Sequence, residues 1–292
     1  MFAIIGSVVV LAAVVGGYLI EHGKLLVLMQ PAELLIIGGA AAGTMLTANP
    51  PAVLKEIVAG MLGVLKGSKY DKALYMETLK MFFDLFQVGR RQGIAHLEGD
   101  IEDPQKSALF QKFPTFLADH HAVDFVCDTL RMAVTGGSTP FDMDQMMEAD
   151  LDVHHKLKHQ PVAALSTMAD SLPGLGIVAA VLGVVITMGA LGGPPEEIGH
   201  KVAAALVGTF LGILLCYGFF GPIASNMGQL NEAEALYYNV LRTALLAFLK
   251  GAPPIVVVEF ARRVIPAPLR PSFQEMESGC RGTPAEETKA AA

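Results

Sequence analysis

The 292-residue chain has no tryptophan, and its three cysteines, Cys127, Cys216 and Cys280, are scattered. Scattered cysteines supply neither a disulfide framework nor a cysteine metal site. Charge is also scarce, at 17% of residues, where an ordinary soluble domain carries about a quarter. No long alternation of apolar and polar residues is present, so strands have no pattern to build on. Nucleophile triads, a P-loop and a dinucleotide fingerprint are all missing. No enzyme, cofactor or resident metal is therefore expected. Basic residues are in deficit: the net charge is −7, and segment 50–170 holds 12 basic against 17 acidic residues. That balance argues against nucleic acid or an anionic lipid surface as the main partner.

What the chain does hold is apolar length, with 52% hydrophobic residues. A membrane-crossing helix needs roughly 20 of them in a row. Four stretches approach that length: 2–20, 32–48, 171–191 and 202–220. The second carries Glu33 at its edge. The first lacks a basic leader region and a small-residue cleavage site, so it reads as a retained span. Lys and Arg concentrate in 50–170 and 225–292, and only Lys24 and Lys201 lie in the two hairpin connections. By the positive-inside rule both termini and both long segments face the cytoplasm.

These features predict an all-α polytopic membrane protein with four spans and a helical cytoplasmic domain. A hairpin at 1–49 precedes the domain at 50–170. A second hairpin at 171–224 precedes C-terminal helices at 225–270, and 271–292 reads as a disordered tail. Within the domain, Leu79, Phe82, Phe83 and Phe86 recur at helical spacing. Thr139, Pro140 and Asp142 make a helix start, and Gly136 and Gly137 a preceding stop.

The second hairpin is rich in small residues. Gly176, Ala179, Ala180 and Gly183 fall in the third span, and Ala204, Gly208 and Gly212 in the fourth. Small residues let helix backbones come close in lipid, where no hydrophobic force drives association. The spacing is consistent with plain helix packing or with a tight inner wall. Pro173 in "DSLP" fits a helix's first turn, capped by Asp170 or Ser171, and Pro222 fits a helix end. Thr187 and Thr209 are the main polar residues inside the two spans, with Tyr217 near the inner end. Each threonine can bond back to its own helix or line an ion path. No Asp, Glu, Lys or Arg falls in the middle of the spans as bounded above. Proton relays use such residues, so an ion-moving role requires a partner to bring the titrating group. His155 and His159 share a helix face, but no third ligand is in sight and solvated histidines suffice. The group Met143, Met146 and Met147 reads as core.

The blocks "MADSLPGLGIVAAVLGVVITMGAL", "IGHKVAAALVGTFLGILLCYGF", "PPIVVVEFARRVIP", "RPSFQEME" and "GRRQGIAHLEGDIEDP" resemble the flagellar stator family MotA over nearly the whole chain. The resemblance implies five such subunits around two copies of a single-span MotB-like partner. The partner's transmembrane Asp carries the ion, and the assembly pushes the rotor protein FliG from the bacterial inner membrane. It also implies roles for particular residues. Arg90 and Glu98 match rotor-facing charges, although alone they read as a solvated helix face. Pro173 and Pro222 match coupling prolines, and Thr209 matches the ion-path threonine. Ala180 falls where sodium-driven relatives tend to carry Thr, which implies proton drive. Asp150, with Glu148, matches an acidic position of less clear role, and Asp170 lies near the proton's exit. The competing readings are an ExbB/TolQ-like energiser of an outer-membrane process and a non-conducting membrane scaffold.

Overall fold

The computed structural model describes residues 2–189, 192 and 194–281. Among these the chain is helical, with no strand. In order the helices are α1 (Phe2–Ile20), α2 (Leu25–Leu28), α3 (Pro31–Ala48), α4 (Pro51–Lys66), α5 (Lys72–Gln92), α6 (Glu98–Glu102), α7 (Pro114–Leu117), α8 (His120–Thr135), α9 (Pro140–Met188), α10 (Pro195–Leu214), α11 (Gly221–Leu249), α12 (Pro254–Val264) and α13 (Phe273–Arg281). The helical path holds four segments long and apolar enough to cross a membrane: Phe2–Ile20, Leu25–Ala48, Pro140–Met188 and Pro195–Leu249. The chain forms two compact units. One comprises Met1–Gly67 and Lys156–Asn231, and the other Ser68–His155 and the chain from Glu232. Helix α4 therefore joins the span-bearing unit, although the composition had grouped it with segment 50–170.

In the span-bearing unit, α9 and α10 meet on small residues. A Cβ added to Gly176 would lie 2.7 Å from the Gly208 carbonyl oxygen, and one added to Gly212 2.5 Å from that of Leu172. One added to Gly183 would lie 2.7 Å from Ala205 Cβ. The backbones are thus closer than any larger residue allows, as the small-residue spacing suggested. A second apolar cluster joins Val53, Ile57 and Val64 of α4 to Val162, Leu165, Ala224 and Met227.

Both proline expectations need correction. "DSLP" does not start a helix: α9 runs 49 residues with Pro161 and Pro173 inside it. Asp170 is therefore no cap, and Ser171 Oγ donates to the Met168 carbonyl at 2.7 Å. An interior proline costs a helix about 3 kcal/mol. The helical flanks and the tight contact with α10 offset that cost here. Pro222 does not end the helical path either. A π-helical segment, Leu215–Phe220, follows α10 and leads directly into α11, where Pro222 is the second residue. The Gly221 N–H bonds to the Cys216 carbonyl, five residues back. A π turn shifts the hydrogen-bond register, so a proline without an N–H is tolerated beside it. Helix α3, Pro31–Ala48, begins one residue from the expected 32, and the apolar stretch that also takes in α2 begins at Leu25, so Glu33 lies inside that stretch. Residues 190 and 191 of the expected third span lie outside the described residues.

The other unit is built on α5. Asp71 caps it, accepting from the Leu74 N–H at 2.8 Å. Leu79, Phe82, Leu85 and Phe86 are buried, and the Phe86 and Phe248 rings stack 4.1 Å apart. Thr78 and Tyr237 hydroxyls hydrogen-bond at 2.9 Å in the core. Gly136 and Gly137 have positive φ after α8, and Thr139 and Asp142 cap the start of α9 reciprocally, as the sequence suggested. The expected disordered tail is corrected in part: α13 is a helix with Met276 and Cys280 buried. Ser272 and Glu275 cap each other's backbone N–H at its start, a capping box. Residues 282–292 lie outside the described residues.

On α12, Glu259 binds both Arg262 and Arg263 at 2.7 Å. Hydrogen bonding to Arg262, then to Arg263, lowers its carboxyl to about 2. A depressed carboxyl contributes stability that is present above its unfolded value, near 4.3, and lost as pH falls toward about 2. Glu259→Gln should therefore lower stability at pH 7, and its gap to the parent protein should close between about pH 4.3 and 2 in denaturant melts. For the seam, Gly212→Ala should cost about 1–3 kcal/mol in thermal unfolding. Gly174→Ala, with open space around its position, should be neutral or stabilising.

Candidate functional site

The seam between α9 and α10 gathers several of the candidate residues. Next to the Gly176 contact lies Thr209, whose Cα is 3.3 Å from the Cβ that Gly176 lacks. The position of a Cβ on Gly208 is 3.1 Å from Ala179 Cβ and 3.2 Å from the Ala180 nitrogen. Ala180 and Thr209 thus flank one small-residue contact. Pro173 lies on the same helix beside Leu172, whose carbonyl faces Gly212.

The two threonines part company here. Thr187 is buried and its Oγ1 donates to the Gly183 carbonyl at 2.8 Å. Thr44, Thr47 and Thr167 likewise bond to their own helices. Thr209 Oγ1 has no partner among the described residues, so its hydroxyl remains available. Tyr217 lies on the π segment with its side chain 72% exposed. Pro222 and Asp170 are exposed.

The same seam holds a residue that sequence reasoning left at a span's edge. Glu33, the third residue of α3, is buried to 6% exposure, and its Oε2 has no hydrogen-bond partner. That oxygen is 2.8 Å from where a Cβ on Gly208 would lie. The signal was available: "LLVLMQPAELLII" is apolar on both sides of the Glu, but the polar Gln30 and Pro31 suggested a boundary.

The other unit presents Arg90 and Glu98 at one corner. Arg90 closes α5 and Glu98 opens α6, with buried Leu97 pinning the turn between them. Cations at a helix C-terminus and anions at an N-terminus are each favoured by the helix dipole. Both side chains are exposed. Arg90 is not simply solvated, because its Nη1 donates to the Gly251 carbonyl at 2.6 Å. Gly251 has φ +83° in the turn after α11, so Arg90 also ties down that turn. Glu148 pairs with Arg242 at 3.1 Å, and Arg242 also holds Asp144 at 2.6 Å. Asp150 lies apart from that pair, lining a cleft of about 450 Å³ with His121, His154 and Tyr238. His155 faces Glu232 at 3.8 Å. Met143 and Met147 are buried, but Met146 is exposed, so the methionine group is core only in part.

Four membrane-length apolar segments, two of them closed on glycine beside an unpaired hydroxyl and a buried carboxylate, place the chain among polytopic membrane proteins. Comparison with known proteins makes this specific. Residues 4–93 match the motility protein A N-terminal model, and residues 118–239 match the MotA/TolQ/ExbB proton channel family. Motility protein A of Escherichia coli is 39% identical over 281 residues, covering 96% of this chain and 95% of that one. Chemotaxis protein LafT of Vibrio parahaemolyticus is 36% identical over 273 residues, covering 94% and 96%. In fold, the chain resembles the C. jejuni MotAB structure (TM-score 0.75, 18% identity, 91% and 95% covered) and the flagellar MotAB stator complex of Bacillus subtilis (0.74, 24%, 91% and 96%). The chain belongs to the MotA branch of the MotA/TolQ/ExbB proton channel family. It is accordingly a flagellar stator subunit of the bacterial inner membrane.

The Arg90 tie has a measurable consequence. Arg90→Gln should raise amide exchange at 250–252 several-fold, because the turn loses its charged anchor. Glu98→Gln, which breaks no such bond, should leave that exchange unchanged in the same hydrogen-exchange experiment.

Proposed function

We propose that this chain forms a proton-driven stator with a single-span MotB-like partner and turns the flux into torque on the rotor protein FliG. Five copies surround two of the partner, whose transmembrane Asp carries the proton along the wall made by α9 and α10. Both termini face the cytoplasm. The observation that carries the reading is the glycine seam with its unpaired Thr209 hydroxyl. A span that met only lipid would leave that hydroxyl unsatisfied, whereas every other span threonine named above bonds back to its own helix. Wide apolar faces support it as well: Ile177, Val178, Val181 and Val185 of α9 are exposed on this chain, available to neighbouring subunits and lipid.

Ala180 supports proton over sodium drive. A hard cation needs several oxygen ligands, and the side chain at 180 is a methyl group that contributes none. Proton movement needs a titrating group instead. Arg90 and Glu98, exposed at one corner, are the charges that face FliG. Pro173 and Pro222, one inside α9 and one after the π segment, are the coupling elements.

Charge reversal tests the torque assignment. Arg90→Glu and Glu98→Lys should each lower motor torque while partner binding and proton flux stay at the parent level. Glu98→Lys is the cleaner variant, because it leaves the Gly251 tie intact. Unchanged swimming and stall torque in both variants contradicts the rotor contact. Loss of flux in both places the charges in the channel machinery instead.

A further inference from the structure

The stator reading asks the partner for the only membrane carboxylate. The structure shows another on this chain. Glu33 is buried, its Oε2 is unpaired, and that oxygen lies over Gly208 on α10. Gly208 is seven residues beyond Lys201, the last charged residue before it on α10, or about 10 Å of helix. The carboxyl, in the first turn of α3, therefore lies along the apolar part of α10, at Gly208 beside the Ala180 nitrogen. A side chain at 208 would displace it, so glycine there makes room for the carboxyl as well as for the seam.

An unpaired carboxylate away from water is costly, and ionisable residues inside membranes are functional by default. A purely structural Glu would be expected to bond a neighbouring N–H or hydroxyl. No such partner exists among the described residues, although Thr209 is on the adjacent position. None of the charged groups on the elements packed against α3 makes a hydrogen bond or ion pair with Glu33 among the described residues. On α10 they are Glu196, Glu197, His200 and Lys201, with Lys201 paired to Glu197 at 2.8 Å. On α9 the nearest in sequence is Asp170, ten residues from Ala180, or about 15 Å of helix. Helix α2 has none, and Lys24, His22 and Glu21 precede it.

We propose that Glu33 is a proton-exchanging carboxyl on this chain's own wall, receiving the proton on the side of the 21–24 connection and handing it to the partner's carboxylate. This deepens the stator reading and rests on it. In the first step the Glu33 carboxylate forms an O–H bond with a proton from water. In the second that O–H breaks, the proton bonds to the partner's carboxylate, and Glu33 is again an anion. Charge and protons balance in each cycle, and no other reactant enters.

The test compares Glu33→Gln and Glu33→Asp in the complex with the natural partner, reconstituted in vesicles. Glutamine keeps the shape but does not titrate. Glu33→Gln should assemble with the partner as the parent chain does, lower proton flux at least tenfold and flatten its dependence on external pH. Glu33→Asp should retain flux within several-fold. Parent-level flux with an unchanged pH profile in Glu33→Gln overturns the assignment while leaving the stator reading intact. No flux in the parent complex overturns the stator reading and the assignment with it. If Glu33→Gln fails to assemble, an apolar carbodiimide applied to the parent complex decides. Modification of Glu33 that fades as external pH rises supports the relay, and an unmodified Glu33 overturns it.

Discussion

The structure depends on how closely α9 and α10 approach. Gly176, Gly183, Gly208 and Gly212 leave no room for a Cβ at the contact. In lipid, that proximity is gained through van der Waals packing rather than through escape from water. Helix α9 continues through Pro161 and Pro173 to reach the seam. The seam also brings the Glu33 carboxyl and the Ala180 nitrogen to Gly208, and Thr209 to Gly176. Were any of the four glycines larger, the span pair would splay and those contacts would be lost.

The seam brings together residues of different chemistry without joining them by hydrogen bonds. Thr187 has spent its hydroxyl on its own helix, whereas Thr209 has not. Glu33 is buried among small residues and has an unpaired oxygen. Unsatisfied polar groups inside a membrane bundle are expensive, and here two of them lie along one seam. The π segment at Leu215–Phe220 belongs to the same pattern, because such bulges mark places where helix register shifts.

Much of this was legible in the chain. The helical class followed from apolar runs and helical spacing, and the caps at Thr139 and Gly136 from residue type alone. The close approach of α9 and α10 was visible as small-residue spacing before any contact was known. The prolines misled because local rules place Pro at helix ends, whereas the tertiary contact of α9 with α10 carries the helix through Pro173. The tail misled because "SFQE" was passed over as part of a polar end, although Ser272 and Glu275 spell a capping box and Met276 and Cys280 the buried face. Glu33 stands in the first turn of α3, close to the expected edge, but its burial against Gly208 is a tertiary contact that span bounds do not report. Arg90's bond to Gly251 joins residues 161 apart, and no local pattern reports such a tie.

The account stands on one claim: the face of α10 bearing Thr209 is turned toward a partner's helix and not toward lipid. The native cysteines are all buried, so a single new thiol can be addressed selectively. Thr209→Cys, cross-linked in native membranes and identified by mass spectrometry, tests the claim directly. The predicted product is an adduct to a single-span protein at a residue near its transmembrane carboxylate. Labelling by a lipid-soluble maleimide with no such adduct would contradict it, since that face would then meet only the bilayer.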